Sequence, residues 1–432
     1  MTVKAGAQRY SNKYSTTQKI DLSHSKLTEL PNDIANYIRL KKLILSFNRI
    51  KKIDDICFLN KLNFLDISNN YISRLPKKFF DLPLEFLDLS ENYIKQIPDA
   101  IEKFVNLKKF YCSRWIGLNK YTIKILPNTI GNLPNLECLS LSSNNISFLP
   151  ESIGNLTNLK ELYLAGNLLT SLPESIGNLI NLEKLYLNNN KITKLPDSIG
   201  NLKKLKELDL SNNNLTELPE NFQNLENLES LRLQNNKLKK LPKYLDNFQK
   251  VKCIYIHQNL LKELPNSIGS LKNLKELYAY NNRIKSLPES FGNLSNLKRL
   301  SLNYNRLSRL PASFAKLHSL SGLDLKNNQF SEFPNEILCL ANLIGLQLSN
   351  NLITIIPNNI DNLKNLEFLD FANNQIKKLP SSFYQLKKLF MFDIQNNYLT
   401  QLPKLPRRGI KHLGIAQNLI QENYIKKIFK NK

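Results

Sequence analysis

Glycine is scarce in this chain, 13 of 432 residues, and no stretch is dominated by Gly, Ser and Pro. That leaves no visible flexible linker between domains, although the length alone would allow two to four ordinary globular ones. No apolar run approaches the roughly 18 residues that a membrane span needs. The opening segment, Met1 to Thr16, is polar and carries Lys4, Arg9 and Lys13. It lacks the apolar stretch of a secretory signal, so the expectation is a soluble protein made and kept in the cytoplasm. The five cysteines, Cys57, Cys112, Cys138, Cys253 and Cys339, are odd in number and widely spaced, with no C-x-x-C pair. Reduced thiols fit that pattern better than a disulfide framework. Acids are also few: 36 Asp and Glu face 60 Lys and Arg, a formal net charge of +24. Such a charge bears on solubility and partners, not on fold.

What the chain has is a period. The string L-x-x-L-x-L-x-x-N-x-L recurs almost throughout. Leu159, Leu162, Leu164, Asn167 and Leu169 make one copy; Leu182, Leu185, Leu187, Asn190 and Ile192 make the next. From Asn144 the motif asparagines step by 23 residues, through Asn167, Asn190, Asn213, Asn236, Asn259, Asn282, Asn305, Asn328, Asn351, Asn374 and Asn397. Earlier copies carry Asn48, Asn70 and Asn92, and a last one carries Asn418. With an incomplete copy at Ser25 and a distorted one near Tyr121, the count is 18. Sixteen of the 19 prolines follow Leu, Ile or Phe at one place in the period, and L-P-x-S-I-G-N-L-x-N-L stands complete at Leu172 to Leu182.

The spacing dictates the architecture. In L-x-L both leucines share one face of a strand and the residue between them faces the other way. One short strand cannot bury its apolar face alone, but stacked copies form a parallel sheet with a continuous leucine core. The proline ends the extended path, and the segment after it returns the chain on the outer side as a short helical or 3₁₀ piece. The expected fold is therefore α/β: a solenoid of about 18 repeats, with a curved parallel sheet on its concave side and short turns and loops on its convex side. Its asparagines sit where the chain leaves the strand and turns within the core. Backbone groups there have no ladder partner, and a carboxamide can both donate to and accept from them.

On these residues the sequence resembles the leucine-rich-repeat superfamily. Its L-P-x-x-I-x-x-L half is similar to the intracellular Ras-suppressor and scribble type. The resemblance covers roughly residues 17–420 and implies a protein-interaction scaffold, commonly with its ligand on the concave face. It implies no cofactor and names no partner. The expected organisation is a polar, mobile segment over 1–16, the solenoid over 17–420, and a capping helix over 421–432, where Tyr424, Ile425, Ile428 and Phe429 fall at helical spacing. A monomer is expected. One step breaks the rhythm: from Asn92 the next equivalent place is Tyr121, 29 residues on. Six residues, Trp115 to Lys120, are extra and include the only tryptophan. Trp115, Asn119 and Lys120 are either a tolerated insertion or a contact loop on a rigid scaffold.

Chemistry leaves little trace. His24, His257, His318 and His412 are scattered over distant repeats, and no metal-ligand spacing or phosphate-cradling glycine motif occurs. Asp66 with Asp88, and Asp370 with Asp393, occupy equivalent positions on neighbouring strands, about 5 Å apart, a separation that glycosidases use. Yet L-D-L is ordinary repeat vocabulary and an open sheet excludes no water, so the chain is read as not an enzyme.

The middle positions of the strands carry the binding candidates. In register they read Tyr163, Tyr186, Asp209, Arg232, Tyr255 and Tyr278, with His257 and Tyr280 one position outward and Arg299 and Tyr304 beside them. This is an aromatic and arginine-bearing band, roughly 30 Å long if the repeats stack evenly. Tyr and Arg are favoured interface anchors. Phe64, Phe86, Phe368 and Met391 are outlying apolar patches. A second surface is basic. The first, third and fourth residues after each ladder position hold 19 Lys or Arg and five acids. Such an edge attracts nucleic acid, an anionic surface or an acidic protein, while lysine there also discourages edge-to-edge aggregation. A protein partner on the concave face is the leading expectation. A polyanion on the basic edge is the alternative, and delivery into a host cell as an effector is a further class that no residue pattern addresses.

Overall fold

The computed structural model describes residues 14, 16–114, 122–403, 405–406 and 410–421. Two compact units make up the chain, residues 1–215 with 219–225 and residues 216–218 with 226–432. Each is a stack of the same element: a three-residue strand, a tight turn, an extended stretch and a 3₁₀ turn.

In the first unit nine strands, from Lys19–Asp21 to Glu207–Asp209, pair in parallel and in chain order. The register sets each motif leucine beside the next, as in Leu162 with Leu185 and Leu185 with Leu208. The second unit holds nine more, from Ser230–Arg232 to His412–Gly414, again parallel and sequential. Eighteen strands among the described residues match the repeat count from sequence. The L-x-L leucines are buried in both units, except for the partly buried Leu22 and Leu413 of the end repeats.

Most of the return segments are 3₁₀ turns of three or five residues, not α-helices, and the return between Ser230–Arg232 and Cys253–Tyr255 has only bends and turns. A 23-residue step between strands leaves room for little more, and short 3₁₀ runs tolerate tight stacking. Proline opens most of them in an extended conformation, as at Pro173 with φ −68° and ψ 153°. Its carbonyl then accepts the first bond of the turn, from Ile176 N–H at 3.1 Å. Glycine follows because the turns touch. A Cβ on Gly177 would lie 2.5 Å from the Ser198 carbonyl oxygen of the next turn. The second asparagine of the N-L-x-N-L phrase ties neighbours on this outer side: Asn181 donates to the Thr157 carbonyl at 2.8 Å, and Asn296 to that of Lys272 at 2.8 Å.

The motif asparagines lie inside the turn after each strand. Asn190 donates from Nδ2 to the carbonyls of Leu164 and Leu187, at 2.9 and 3.0 Å, and accepts from Leu169 N–H at 3.0 Å. Asn282 does the same with Ile256, Ala279 and Leu261. Fifteen of the sixteen are buried, and Asn418 is half-buried. The residue just before the ladder asparagine is left-handed in almost every repeat. Asn fills the place at 69, 189, 212, 235, 281, 327, 350, 373 and 396, and Gly at 166. Asn and Gly visit this region at least cost, which explains the Asn-Asn doublets.

The irregular step appears as a strand, Lys109–Tyr111, whose neighbour is Cys138–Ser140, 29 residues on. Trp115, Asn119, Lys120 and Tyr121 lie outside the described residues. Arg114, just before them, sends Nη2 to the Ile94 carbonyl at 2.8 Å. Asn144 reaches across the irregularity to the Cys112 carbonyl at 3.0 Å. Of the proposed terminal cap only Gln421 is described.

Candidate interaction surface

Each strand offers its first and third residues, and the residue two positions further on, to the open face of the sheet, while its middle residue is buried. Period-two alternation forces this once the leucines point inward. The parallel register then lines equal positions into rows. Tyr163 and Tyr186 belong to the first unit; Arg232, Tyr255, His257, Tyr278, Tyr280, Arg299 and Tyr304 belong to the second.

In the first unit the rings of Tyr163 and Tyr186 stack 5.1 Å apart at 19°. Tyr163 donates its hydroxyl to Glu161 Oε2 at 2.9 Å, and Tyr186 donates to Glu207. Lys184 pairs with Glu161 at 3.1 Å. Burial, reinforced by the bond to Glu161, pushes the Tyr163 phenol well above its usual range. The hydroxyl therefore stays protonated and serves as a donor.

In the second unit the register sets Arg232 beside Tyr255 and Tyr255 beside Tyr278. The two tyrosine rings stack 5.0 Å apart at 6°, and the Arg232 guanidinium carbon lies 5.5 Å from the Tyr255 centroid. Tyr278 donates to Glu276 Oε2 at 3.2 Å, while Arg299 Nη1 reaches Glu276 Oε1 at 3.4 Å. Burial raises both phenols. One position outward, His257 stacks on Tyr280 at 4.2 Å and 14°, and meets Tyr255 edge-on at 6.5 Å. Its Nδ1 is buried without a hydrogen-bond partner, and burial holds the imidazole below its ordinary value. Neutral imidazole is thus the resting form at neutral pH.

Tyr304 is placed differently from the others. It occupies the left-handed position of the turn, φ 51°, and is 56% exposed. It belongs to the row of Asn281 and Asn327, not to the strand face. Arg299 begins its strand and is exposed. Elsewhere Phe64 and Phe86 stack at 4.0 Å, with the Lys42 ammonium 3.7 Å over the Phe64 ring. The glutamates that orient the tyrosines escaped the sequence reading. Their signal was the recurrent Glu at the first strand position, two residues before Tyr163 and Tyr278 and one repeat beyond Tyr186.

Among the described residues no group of three or more His, Cys, Asp or Glu side chains is arranged to hold a metal ion. No described helix is long and apolar enough to cross a membrane. What these patches offer is stacked aromatic area, hydroxyls of fixed direction and guanidinium groups, the materials of contact.

Comparison with known proteins agrees with the fold. A family model described as leucine-rich repeat region matches residues 103–191, 174–259 and 243–343. Further leucine-rich-repeat models match 38–94 and 365–386. A leucine-rich-repeat protein of Leptospira interrogans is 34% identical, with a TM-score of 0.72, over 98% of this chain and 96% of that one. The Arabidopsis receptor kinase HAESA, solved with the peptide hormone IDA and the co-receptor SERK1, is 28% identical with a TM-score of 0.68, over 94% of this chain and 79% of that one. The plant peptide hormone receptor RGFR1, in complex with RGF2, is 27% identical with a TM-score of 0.64, over 93% and 78%. A search of curated protein sequences returned no match. The fold and surface define a repeat protein built for macromolecular contact. The chain belongs to the leucine-rich-repeat family.

Proposed function

We propose that this protein is a non-catalytic scaffold that holds a protein or peptide partner on the open sheet face of its second unit. The observation that carries the reading is the Tyr255–Tyr278 stack, flanked by Arg232 and braced by Glu276 and Arg299. A surface whose rings and hydroxyls are already held loses little freedom on binding, which favours affinity at a given contact area. The plant receptors above, solved with peptide hormones, support the same use of the fold. Tyr163 and Tyr186 form a second anchor of the same construction in the first unit. Trp115, Asn119 and Lys120 remain contact-loop candidates by sequence. The repeat phrase supports the Ras-suppressor and scribble type. The free state of all five cysteines supports a reducing, cytoplasmic setting.

The test is capture of the native partner by affinity pull-down with mass spectrometry. Wild type is compared with a variant carrying Tyr186→Ala, Tyr255→Ala and Tyr278→Ala. The expected result is loss of the partner with a nearly unchanged melting temperature. Undiminished capture by the folded variant overturns the reading. The net charge of +24 favours a second reading, a polyanion on the basic edge.

A further inference from the structure

The first unit contains an open cavity of about 510 Å³ beside the strands Phe86–Asp88 and Lys109–Tyr111. Every described residue that lines it is of a polar type: Asn69, Asp88, Glu91, Arg114 and four serines. Small-ligand sites of this size, roughly 300–1,000 Å³, are usually lined by apolar residues with a few polar groups, so a lining without an apolar residue among those described restricts the guest.

Three of these residues matter most. Arg114 is 9% exposed and spends one guanidinium nitrogen on the Ile94 carbonyl, at 2.8 Å. Its Nε is buried and has no hydrogen-bond partner, a deficit that costs stability unless something fills it. Asp88 is half-buried and uses Oδ1 to accept from Ser90 N–H at 2.8 Å. Burial raises its carboxyl, so the site disfavours charge there. Glu91 sits close enough to Arg114 to act on its charge, as does Tyr93.

The chemistry narrows by elimination. An apolar side chain would leave the Arg114 Nε without a partner. An anion would face two carboxylates and a single guanidinium already engaged. Among the described residues no three-ligand cluster offers a metal site. A neutral group dense in hydroxyls fits: each hydroxyl both donates and accepts, which suits a mixed lining of carboxyl, guanidinium, amide and serine. We propose that this cavity binds a neutral saccharide, with the sugar's hydroxyls on Asp88, Glu91 and Arg114. No bond is made or broken; the role is recognition. The inference stands apart from the partner surface of the second unit.

The experiment titrates the full chain with maltose, cellobiose, lactose and diacetylchitobiose, each to about 20 mM, by calorimetry and saturation-transfer NMR. Millimolar binding of at least one is expected. Asp88→Asn keeps an oxygen for Ser90 N–H, and Glu91→Gln lies at a partly exposed turn, so both variants are expected to fold. Together they weaken that binding by at least about tenfold. Tyr255→Ala with Tyr278→Ala leaves it unchanged, which separates this site from the partner surface. No binding across the panel overturns the proposal, and so does binding that the Asp88→Asn, Glu91→Gln variant leaves intact.

Discussion

Asn190 and Leu164 stand 26 residues apart in sequence, yet the Asn190 carboxamide donates to the Leu164 carbonyl at 2.9 Å. The same side chain holds the Leu187 carbonyl and the Leu169 N–H. One residue thus closes its own turn and fastens it to the repeat before. Replacing it with Leu fills similar space but strands three buried backbone groups. Each unpaired group costs about 1–3 kcal/mol, so Asn190→Leu is expected to lower stability by at least about 2 kcal/mol. A shift of the urea midpoint to lower concentration with an unchanged slope checks it. An unmoved midpoint removes the ladder from the account of stability.

The outer turns make a sharper prediction because two glycines differ so much. A Cβ on Gly177 would meet the Ser198 carbonyl oxygen at 2.5 Å and its Cβ at 2.6 Å, while one on Gly322 meets nothing within 4 Å. Gly177→Ala must spread neighbouring turns and is expected to cost about 1–3 kcal/mol, the usual range for overpacking. Gly322→Ala is expected to fall within about 0.5 kcal/mol of wild type, as open surface positions do. Equal effects in the two variants would mean that the turns are not in contact.

The repeat and its strand-to-strand register are legible in the sequence because the leucine period has one physical solution. The ladder asparagines are legible for the same reason: a turn inside a core needs a side chain that donates and accepts. Other features are not. The residue before Asn190 must be left-handed, and the Asn-Asn doublet reads as simple repetition until the φ of Asn189, 57°, is known. The Tyr278–Glu276–Arg299 brace depends on side-chain direction, which spacing alone does not supply. Tyr304, expected beside the strand band, takes the left-handed turn position, φ 51°, which residue spacing alone does not reveal. Arg114 gave no sequence signal at all; its role arises only because the 29-residue step leaves the Ile94 carbonyl for it to meet.

The left-handed row yields a stabilising change. Gln258 holds φ 56° where nine other repeats use Asn. Left-handed backbone costs an ordinary residue roughly 1–2 kcal/mol, and Asn less. Gln258 is exposed and its backbone N–H already pairs with the Tyr280 carbonyl at 3.0 Å. Gln258→Asn leaves that bond in place and is expected to add about 0.5–1 kcal/mol. A rise in the urea midpoint supports the assignment of strain at this position, and a fall counts against it.

The basic edge carries its own prediction, independent of the aromatic surface. If it binds polyanions, the protein is retained on heparin at about 50 mM salt and released by about 200 mM, because binding driven by counterion release weakens steeply over that interval. Replacing Lys237, Lys239 and Lys240 by Gln removes three charges from one repeat and is expected to move elution to lower salt. Passage through the column at low salt disposes of the polyanion reading and leaves the charge to solubility.

His257 ties the proposed partner surface to pH. Burial alone lowers its value from the ordinary 6.5, so the unfolded chain takes up a proton before the folded one does. Stability rises with pH, and is lost as the pH drops, wherever the unfolded state binds more protons. The contribution of neutral His257 is therefore complete above pH 6.5, declines as the pH drops below it, and is gone once the pH passes the folded value. Protonation would also set a buried positive charge against Tyr280, 4.2 Å away, with no acceptor for Nδ1. His257→Asn has no group titrating in that range, so its stability should change less than wild type between pH 7 and 5. Parallel urea midpoints for the two proteins across that range would show that this imidazole is not held neutral by burial.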